Sequence, residues 1–583
     1  MTDAIPDDSL RSHLNHEPQE LRFGTSGRRG QLVHLTQLEI YINTLAELEY
    51  LQSQPASRGG ITPGDEIYIA YDLRPSSTRY DAAQLGRGEI VQAVECASRD
   101  AGMWPVNLGP IPTPALTFYA LSRARGSVMI TGSHIPFDWN GYKTNSARGE
   151  LRKEDEGPIN ERVRLVRQRV YGCRYAESLF DEQGRFKDGH RELSHESAAG
   201  QAAFIERYTR FFPGGALRGM RILVYQHSAV GRDLLVEILS RLGADVVAGG
   251  RRDDFVSIDT ENVDDAMVAA VQEIANSFAA RRGPLDAVVS TDGDSDRPMV
   301  LGVQPRTGTL RFFGGDLLGM IVAEYLNADA VVVPISCNDA IDRGSLKDRV
   351  APKTRIGSPY VTAGMEKARN RGARTICGWE ANGGFLLGSD LERDGRVLTA
   401  LPTRDAFLPL ICALHAARIS RASLVELFAL LPGRFSRATL LGRFPRALGR
   451  KIVEQYSPAD KRVREVRFEE GRSILLDEDQ HEFPASRPDE AENIRNRLAV
   501  FFPSGSGFGR ITSLNYTDGV RVTFSNGDVA HIRPSGNADE LRIYAVADTQ
   551  ARADGIAKMG VAEPDGILRR LERAAMTDSS QAG

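Results

Sequence analysis

The segment LDAVVSTDGDSDR, residues 285–297, joins a short apolar run to an acidic loop. LDAVVST predicts a buried strand, because its apolar residues follow one another without the alternation of a half-exposed strand. Asp292, Asp294 and Asp296 then come at alternating positions directly after it. Carboxylates this close repel one another unless a cation lies among them, and ligation by oxygen alone suits Mg²⁺. The segment therefore predicts a sheet with a metal-binding loop at a strand end.

Other interpretations of this loop stay open at this point. The loop could be a solvated acidic turn. It also fits a phosphatase of the haloacid-dehalogenase type with Asp292 as nucleophile, although such enzymes usually have Thr or Val at the position of Asp296. An EF-hand is excluded, because Arg297 stands where the sixth position requires Gly and Val303 stands where the twelfth requires Glu.

Strand and helix patterns alternate on both sides of the segment, which is typical of βαβ units. Three rounds of strand and helix patterns lie in 67–131, 221–291 and 328–384, and each ends in a Gly- or Asp-rich loop. Open α/β sheets place their ligands at such strand ends. Residues 145–200 read as a long excursion plus a linker. After about Pro432, short alternating runs with an Asn-Gly turn at 526–527 predict a smaller α+β domain.

Three further loops carry side chains that suit phosphate and sugar chemistry. In TGSHIP (131–136) Ser133 lies between a glycine and His134 after a predicted buried strand, and Lys143 follows ten residues later. The pattern G-x-S-x-G of a serine hydrolase is absent. In GWEANGG (378–384) Glu380 and Asn382 could contact sugar hydroxyls. In RPSGNADELR (533–542) two arginines flank a turn that could form an anion nest. Each loop alone is also typical of a polar turn.

Composition excludes several classes of function. The chain has 583 residues, 41% of them hydrophobic and 26% charged, with a formal net charge of −4, so nucleic acid or a membrane is not expected as a partner. Five widely spaced cysteines predict neither a zinc site nor a disulfide framework. The N-terminus MTDAIPDDSL does not resemble a secretory signal, and no apolar run spans a bilayer. We expect a cytoplasmic protein.

These four loops, together with FGTSGRRG (23–30), closely resemble the α-D-phosphohexomutase family in order and spacing. That family includes phosphoglucomutase, phosphomannomutase and phosphoglucosamine mutase. The resemblance implies three similar α/β domains with mixed sheets and a C-terminal α+β domain around a central cleft. For this chain we predict boundaries at residues 1–200, 201–307, 308–432 and 433–583.

The resemblance also implies roles for individual residues. Ser133 would be the phosphorylated serine, and with Asp292, Asp294 and Asp296 it would hold the metal. The catalytic centre would be completed by Arg28, His134, Lys143 and Arg297. Glu380 and Asn382 would contact the sugar, and the distal phosphate would be bound by Arg533, Ser535, Gly536, Asn537 and Arg542.

The implied activity interconverts hexose 1-phosphate and hexose 6-phosphate through a phosphoserine enzyme and a hexose 1,6-bisphosphate. We expect one Mg²⁺ per subunit, hexose 1,6-bisphosphate as activator, and a monomer or homodimer. Mannose phosphates are the preferred substrates, with glucose phosphates, or both, as the alternative. A metal-dependent phosphohydrolase and a non-catalytic sugar-phosphate-binding relative are less favoured.

The loop predicted to contact the sugar departs from the family pattern. Many relatives have Glu-x-Ser-Gly-His in the sugar loop, whereas this chain has Asn382 in place of the Ser and Gly384 in place of the His.

A general base must take the proton of the attacking hydroxyl. We predict Lys143 for that role and expect Arg28 and Arg297 to lower its pKa.

Overall fold

The computed structural model describes residues 8–24, 27–81, 87–189, 193–261, 263–469, 472–487, 489–536 and 539–580. The chain divides into two compact units. The first comprises Met1–Tyr325 and Asn382–Leu427, and the second comprises Leu326–Ala381 and Phe428–Gly583. No helix in the described ranges combines the length and the apolarity that a membrane crossing requires. The predicted α/β class with several mixed sheets is confirmed, while the four domain boundaries stay a prediction.

The first unit begins with a six-stranded mixed sheet. In spatial order its strands are Arg28–Gln31, Trp139–Ser146, Ser127–Ile130, Glu66–Tyr71 and Trp104–Asn107, and Gly149–Glu150 pairs with the second. Glu66–Tyr71 is parallel to both of its neighbours, whereas Trp139–Ser146 is antiparallel to its own. A separate short pair joins Tyr80–Asp81 and Arg87–Gly88. The helices are Leu10–His13, Gln37–Ser53, Pro75–Thr78, Ile90–Asp100, Thr113–Leu121, Glu156–Tyr171 and Ala199–Phe211.

The segment 145–200 is not the open excursion that its composition predicts. It contains the helix Glu156–Tyr171, which buries Ile159, Val163 and Val166. These three residues are four and three positions apart, so they lie on one helical face. That face packs into the same core as the helix Gln37–Ser53. Charged residues on the other face dominate the composition and conceal the apolar spacing.

A five-stranded mixed sheet follows in the same unit. Its spatial order is Asp245–Arg251, Arg221–His227, Ala287–Thr291, Pro298–Val303 and Leu310–Phe313. The first three strands are parallel to one another, and each of the last two is antiparallel to the strand before it. Its helices are Arg232–Arg241, Asp265–Arg282 and Gly315–Leu326. Every residue of Ala287–Thr291 is buried, as the unbroken apolar run predicts, so the acidic loop that follows starts from a fixed point.

The predicted third α/β region contributes to both units. In the second unit, Ala330–Val332 and Ile376–Trp379 form a parallel pair, and the helix Ser358–Asn370 lies between them in sequence. In the first unit, Phe385–Leu387 pairs antiparallel with Leu401–Asp405, and Leu391–Arg393 pairs with Arg396–Leu398. The helices Phe407–Ser420 and Leu424–Ala429 follow.

The remainder of the second unit is an antiparallel eight-stranded sheet with helices, so the predicted α+β domain is confirmed. In spatial order the strands are Phe435–Gly442, Glu540–Ala547, Val529–Pro534, Val520–Phe524, Ile511–Asn515, Glu465–Glu469, Arg472–Leu476 and Glu482–Phe483. Its helices are Arg446–Gln455, Glu490–Ala499, Gln550–Val561 and Ile567–Ser580. The predicted Asn-Gly turn joins two neighbouring strands, with Gly527 at φ +82°.

Candidate active site

Ser133 lies in the loop between the strands Ser127–Ile130 and Trp139–Ser146. It is buried and has a φ of +54°, a left-handed conformation that non-glycine residues rarely adopt outside functional sites. Its backbone N–H donates to Thr131 Oγ1 at 2.7 Å, which supports that conformation. Its hydroxyl donates to Asp292 Oδ2 at 2.8 Å, and His134 Nδ1 lies 3.3 Å from the same hydroxyl oxygen. The predicted serine and the acidic loop are therefore in direct contact.

The loop that carries Ser133 is fixed by hydrogen bonds from Arg74, a residue that was not predicted from the sequence. Its buried guanidinium lies 3.4 Å from Asp72 Oδ2. It donates to four backbone carbonyl oxygens of the loop, those of Ser133, Ile135, Pro136 and Trp139, at 2.5–3.1 Å. Gly132 permits this approach, because a Cβ there would lie 2.6 Å from Arg74 Nε. The sequence shows only a polar turn, DLRPSS, at this point.

The three predicted metal ligands form one buried cluster. Asp292, Asp294 and Asp296 each offer a carboxylate oxygen, and these oxygens lie within 4.8 Å of one another. Ser295 has a φ of +58°, which tightens the loop between the second and third aspartates. The backbone N–H groups of Asp296 and Arg297 both donate to Asp292 Oδ1 at 3.1 Å. The backbone thus holds the first carboxylate in place.

Cationic side chains surround the cluster. Lys143 Nζ donates to Asp294 Oδ2 at 2.8 Å and to Asp296 Oδ2 at 2.9 Å. Arg404 donates to the same Asp296 oxygen through Nε at 3.0 Å and Nη2 at 2.8 Å. Arg297 Nε lies 3.7 Å from Asp296 Oδ1. Lys143 and Arg297 were predicted for this centre, whereas Arg404 was not.

Burial and charge shift the aspartate pKa values in opposite directions. Burial, reinforced by repulsion from Asp294 and Asp296, raises the pKa of Asp292 well above its usual range. Burial alone would also raise the pKa of Asp294, but Lys143 outweighs it and holds that pKa below the usual value. Arg404 likewise outweighs burial and lowers the pKa of Asp296. The three carboxylates of one loop thus differ in how readily each carries its negative charge.

The structure places Arg28 elsewhere than the catalytic centre predicted for it. Its buried guanidinium donates to Glu47 Oε1 at 2.6 Å and to Asn160 Oδ1 at 3.2 Å. Arg28 and Arg29 are consecutive residues of one strand, so their side chains point to opposite faces of the sheet. Loss of solvation, and then repulsion from Arg297, lowers the pKa of Arg29 to about 10. The structure therefore brings Arg29, not Arg28, to the acidic cluster.

The pKa expected for Lys143 is wrong for this structure. Burial lowers the pKa of its amine, but Asp294 and Asp296 outweigh burial and the net pKa is raised. By contrast, loss of solvation and the nearby Arg297 lower the pKa of His134 well below its usual value. A neutral imidazole and a charged amine therefore flank the serine and the carboxylates, respectively.

The sugar loop contributes to each unit. In the second unit, Glu380 is buried directly after the strand Ile376–Trp379. In the first, Asn382 Oδ1 accepts from the backbone N–H of Gly384 at 2.9 Å, and its backbone carbonyl oxygen accepts from Thr260 Oγ1 at 2.7 Å. Gly384 lies against Arg404, since a Cβ on this glycine would be 2.4 Å from Arg404 Cδ. The space beside Gly384 is thus occupied by the side chain of Arg404.

The segment predicted to bind the distal phosphate, residues 533–542, joins two neighbouring strands of the second unit. Arg533 and Arg542 are directly opposite in the antiparallel register, so their side chains share one face. Arg533 Nε donates to Asp518 Oδ1 at 3.0 Å, and Arg542 Nη2 donates to Glu540 Oε2 at 2.7 Å. The turn between them contains Ser535 and Gly536, and the predicted Asn537 lies outside the described residues. Two paired guanidinium groups beside a turn suit a phosphate.

Three stretches of the chain match one family of domains. Residues 20–169 match the phosphoglucomutase/phosphomannomutase alpha/beta/alpha domain I, residues 204–304 match domain II and residues 482–562 match the C-terminal domain. A phosphomannomutase of Sinorhizobium fredii is 37% identical over 542 residues, which cover 93% of this chain and 98% of that protein. The chain belongs to the phosphoglucomutase/phosphomannomutase family. A second member, a phosphomannomutase of Salmonella muenchen, is 35% identical over 92% of this chain and 94% of its own.

Solved structures share the fold of this phosphoglucomutase/phosphomannomutase family member. A putative phosphomannomutase of Thermus thermophilus aligns with a TM-score of 0.59 and 19% identity over 92% of this chain and 98% of its own. A phosphoglucomutase/phosphomannomutase family protein of Burkholderia thailandensis aligns with a TM-score of 0.58 and 18% identity over 95% and 97%. As a family member the chain is an enzyme, a phosphohexomutase of the isomerase class.

The family is Mg²⁺-dependent, and the acidic cluster fits that ion. Asp294 Oδ1 and Asp296 Oδ1 are buried and have no hydrogen-bond partner within the described ranges. Buried carboxylate oxygens are rarely left unpaired, because that costs about 1–3 kcal/mol or more for a charged group. Two such oxygens in one cluster of three aspartates therefore fit a hard divalent cation.

Proposed function

We propose that this enzyme is a phosphomannomutase, which interconverts mannose 1-phosphate and mannose 6-phosphate. The observation that carries the mutase chemistry is the contact of Ser133 with a buried cluster of three aspartates, two of which keep an oxygen that has no hydrogen bond among the described residues. The choice of mannose rests on the phosphomannomutase names of the two relatives that cover more than nine-tenths of this chain. Phosphoglucomutase or dual activity is the alternative.

The metal site of this proposal consists of Asp292, Asp294 and Asp296 with a phosphate carried on Ser133. Bound Mg²⁺ would polarise the phosphoryl oxygens and neutralise charge as the phosphoryl group moves. The chain supplies the geometry: the backbone holds Asp292, while Lys143 and Arg404 hold the other two carboxylates. Arg29 and Arg297 provide positive charge for the phosphoryl group.

The reaction transfers one phosphoryl group in each of two steps. In the first, the bond between phosphorus and Ser133 Oγ breaks and a bond to the free sugar hydroxyl oxygen forms, while the hydroxyl proton passes to a general base. The hexose 1,6-bisphosphate then turns end for end, and its other phosphoryl group returns to Ser133 Oγ as the proton returns to the sugar. Atoms and charges balance over the cycle, and no phosphate is released.

Lys143 remains our prediction for the general base. Its pKa is raised in the structure because it shares Asp294 and Asp296. Arg404 and Arg29 oppose that rise, and a divalent cation held by the same carboxylates would weaken their attraction for the ammonium group and so would favour a lower pKa. His134, whose pKa is lowered and whose Nδ1 lies beside Ser133 Oγ, is the second candidate.

The residues that bind substrate stay those that the family resemblance implies. Arg533 and Arg542, with Ser535, Gly536 and Asn537, would bind the phosphate that does not react, and Glu380 and Asn382 would contact the sugar hydroxyls. Hexose 1,6-bisphosphate as activator, a monomer or homodimer, and a cytoplasmic location stay predictions.

The proposal is tested by comparing kcat/KM for mannose, glucose and glucosamine 1-phosphates with Mg²⁺ and a trace of the matching 1,6-bisphosphate. Mannose 1-phosphate should give the highest value, and a higher value for glucose 1-phosphate would overturn the substrate assignment. Ser133→Ala should lose turnover and the protein-bound phosphate seen in the intact mass. Net release of inorganic phosphate, or a phosphate that persists in Ser133→Ala, would instead favour a phosphohydrolase that uses Asp292.

A further inference from the structure

In the metal loop, Asp292 uses both carboxylate oxygens for hydrogen bonds within the chain, because its Oδ2 accepts from Ser133 Oγ, whereas Asp294 and Asp296 each use only one within the described stretches. Asp292 Oδ1 accepts two backbone N–H groups. Asp294 Oδ2 accepts from Lys143 Nζ at 2.8 Å and from Thr113 Oγ1 at 2.6 Å. The second oxygen of Asp294 has no hydrogen-bond partner among the residues that the structure describes. Asp294 and Asp296 thus each keep one carboxylate oxygen for a metal.

The two oxygens of Asp296 differ most clearly, and Arg404 supplies two of the three donors that cause the difference. Three N–H donors converge on Asp296 Oδ2: Lys143 Nζ at 2.9 Å, Arg404 Nε at 3.0 Å and Arg404 Nη2 at 2.8 Å. Asp296 Oδ1, in contrast, is buried and accepts no hydrogen bond in the described part of the chain. For this carboxylate to present both oxygens to one ion, the bonds that Lys143 and Arg404 donate to Oδ2 would have to break, and two of those three bonds come from Arg404.

Arg404 reaches this position because Gly384 has no side chain. Arg404 belongs to the strand Leu401–Asp405 and is 4% exposed. A Cβ at residue 384 would lie 2.4 Å from Arg404 Cδ and 2.7 Å from its Cγ, far inside van der Waals contact. Because the guanidinium is held by Asp296 and the strand is buried, the arginine has little freedom to yield. The glycine and the arginine therefore form one structural pair.

We propose that Arg404, lying in the space beside Gly384, restricts Asp296 to a single metal-binding oxygen and thereby favours Mg²⁺ over Ca²⁺. Mg²⁺ requires a small octahedral shell of oxygens at about 2.0–2.1 Å, whereas Ca²⁺ takes six to eight oxygens and readily accepts a bidentate carboxylate. A carboxylate that can offer only one oxygen suits the coordination of Mg²⁺ and weakens the binding of Ca²⁺. Arg404 is then a positioning residue that acts through Asp296. The inference rests on the metal site proposed above.

The test measures the dissociation constants of Mg²⁺ and Ca²⁺ by calorimetry on the full-length enzyme. The wild type is compared with Arg404→Met and Arg404→Lys, without substrate. The two ions carry equal charge, so losing the charge of Arg404 changes both constants alike and cancels from their ratio. We expect the ratio to shift about tenfold towards Ca²⁺ in Arg404→Met, the lower end of the effect of residues that orient metal ligands. Arg404→Lys, with one donor instead of a planar fork, should be intermediate.

Gly384→Ala gives an independent route to the same result. Its Cβ should displace Arg404 and shift the ratio in the same direction. In the Arg404→Met background the alanine should add little, because the side chain that it displaces has been shortened and no longer holds Asp296. Arg167→Met is the matched control, since it breaks a half-buried ion pair with Glu39 at 2.6 Å in the same unit. Its ratio should equal that of the wild type.

The outcomes separate this inference from the function itself. A ratio in Arg404→Met within about twofold of the wild type would overturn the role of Arg404 while leaving the metal site intact. Failure of the wild type to bind either ion would refute the metal site. Should Arg404→Met not yield folded protein, an unchanged ratio in both Arg404→Lys and Gly384→Ala would also overturn the proposal.

Discussion

Arg74 offers a stringent test of how the serine loop is held. Arg74→Met keeps an apolar side chain of comparable length but removes all donors to the loop and leaves Asp72 buried beside it. Breaking a buried ion pair by removing one partner costs about 3–5 kcal/mol. Because the lost contacts connect Arg74 to residues 133–139, we expect the cost to appear mainly as easier opening of this loop.

The magnitude of that change can be measured by hydrogen exchange. Since about 1.4 kcal/mol corresponds to a factor of ten, a loss of about 3–5 kcal/mol should speed amide exchange in the loop by about 100- to 4,000-fold. Ser133 would also leave its strained position, and a misplacement of about 1 Å can cost about 100-fold in rate. The kcat of Arg74→Met should therefore fall by about that factor, with a smaller change in KM.

The assay combines exchange mass spectrometry on a peptide that covers residues 131–139 with initial rates at saturating substrate. Arg167→Met, which breaks another ion pair of the first unit, should leave both readouts unchanged. Exchange in this peptide that is unchanged in Arg74→Met, or a kcat within about threefold of the wild type, would refute the reasoning.

Three more variants test other parts of the chain. Lys143→Met should lower kcat by about 100-fold or more while the protein stays folded by circular dichroism, and near-normal turnover would rule out a role as general base. Arg434→Met removes a buried guanidinium that binds Asp339 at 2.6 and 2.8 Å. It should cost about 3–5 kcal/mol, seen as a lower unfolding midpoint in calorimetry, and an unchanged midpoint would contradict this. Burial lowers the pKa of His227 to about 4, so the folded state binds this proton less readily than the unfolded state. The contribution of His227 to the free energy of unfolding is therefore complete above the unfolded pKa of about 6.5. This contribution should be lost as pH falls towards 4, by about 3 kcal/mol in all. His227→Gln should reduce the drop in unfolding midpoint between pH 7.5 and 5, and an identical pH profile would argue against this assignment.

The parts of the site that were predictable from sequence are local. Ser133 and the three aspartates each follow a short buried strand, and a strand end fixes where the next few residues lie. A strong pattern within ten residues is therefore sufficient to place them. The same holds for the antiparallel sheet around the Asn-Gly turn at Gly527.

The site residues that were missed depend on which side of a strand a side chain points to, and on contacts between residues far apart in the chain. Arg28 and Arg29 are chemically identical neighbours, and only the pairing of their strand determines which one faces the acidic loop. Arg404 lies 108 residues from Asp296 and belongs to no loop that the sequence singled out. The shift of the Lys143 pKa depends on whether carboxylates or guanidinium groups are closer, and that order is a matter of a few ångströms.

The hydrogen bond from Ser133 to Asp292 exists only while the serine is unmodified. A phosphate on that oxygen removes the donated proton and adds about 1.5–2 negative charges beside a carboxylate, so the attraction becomes a repulsion. Without divalent ions, the unmodified enzyme should thus melt at the higher temperature. On the phosphoserine mechanism proposed above, partly phosphorylated enzyme would contain two species of different charge, and anion exchange should separate them. A rate measured on such a mixture would depend on the fraction of phosphorylated enzyme as well as on the kcat of that species.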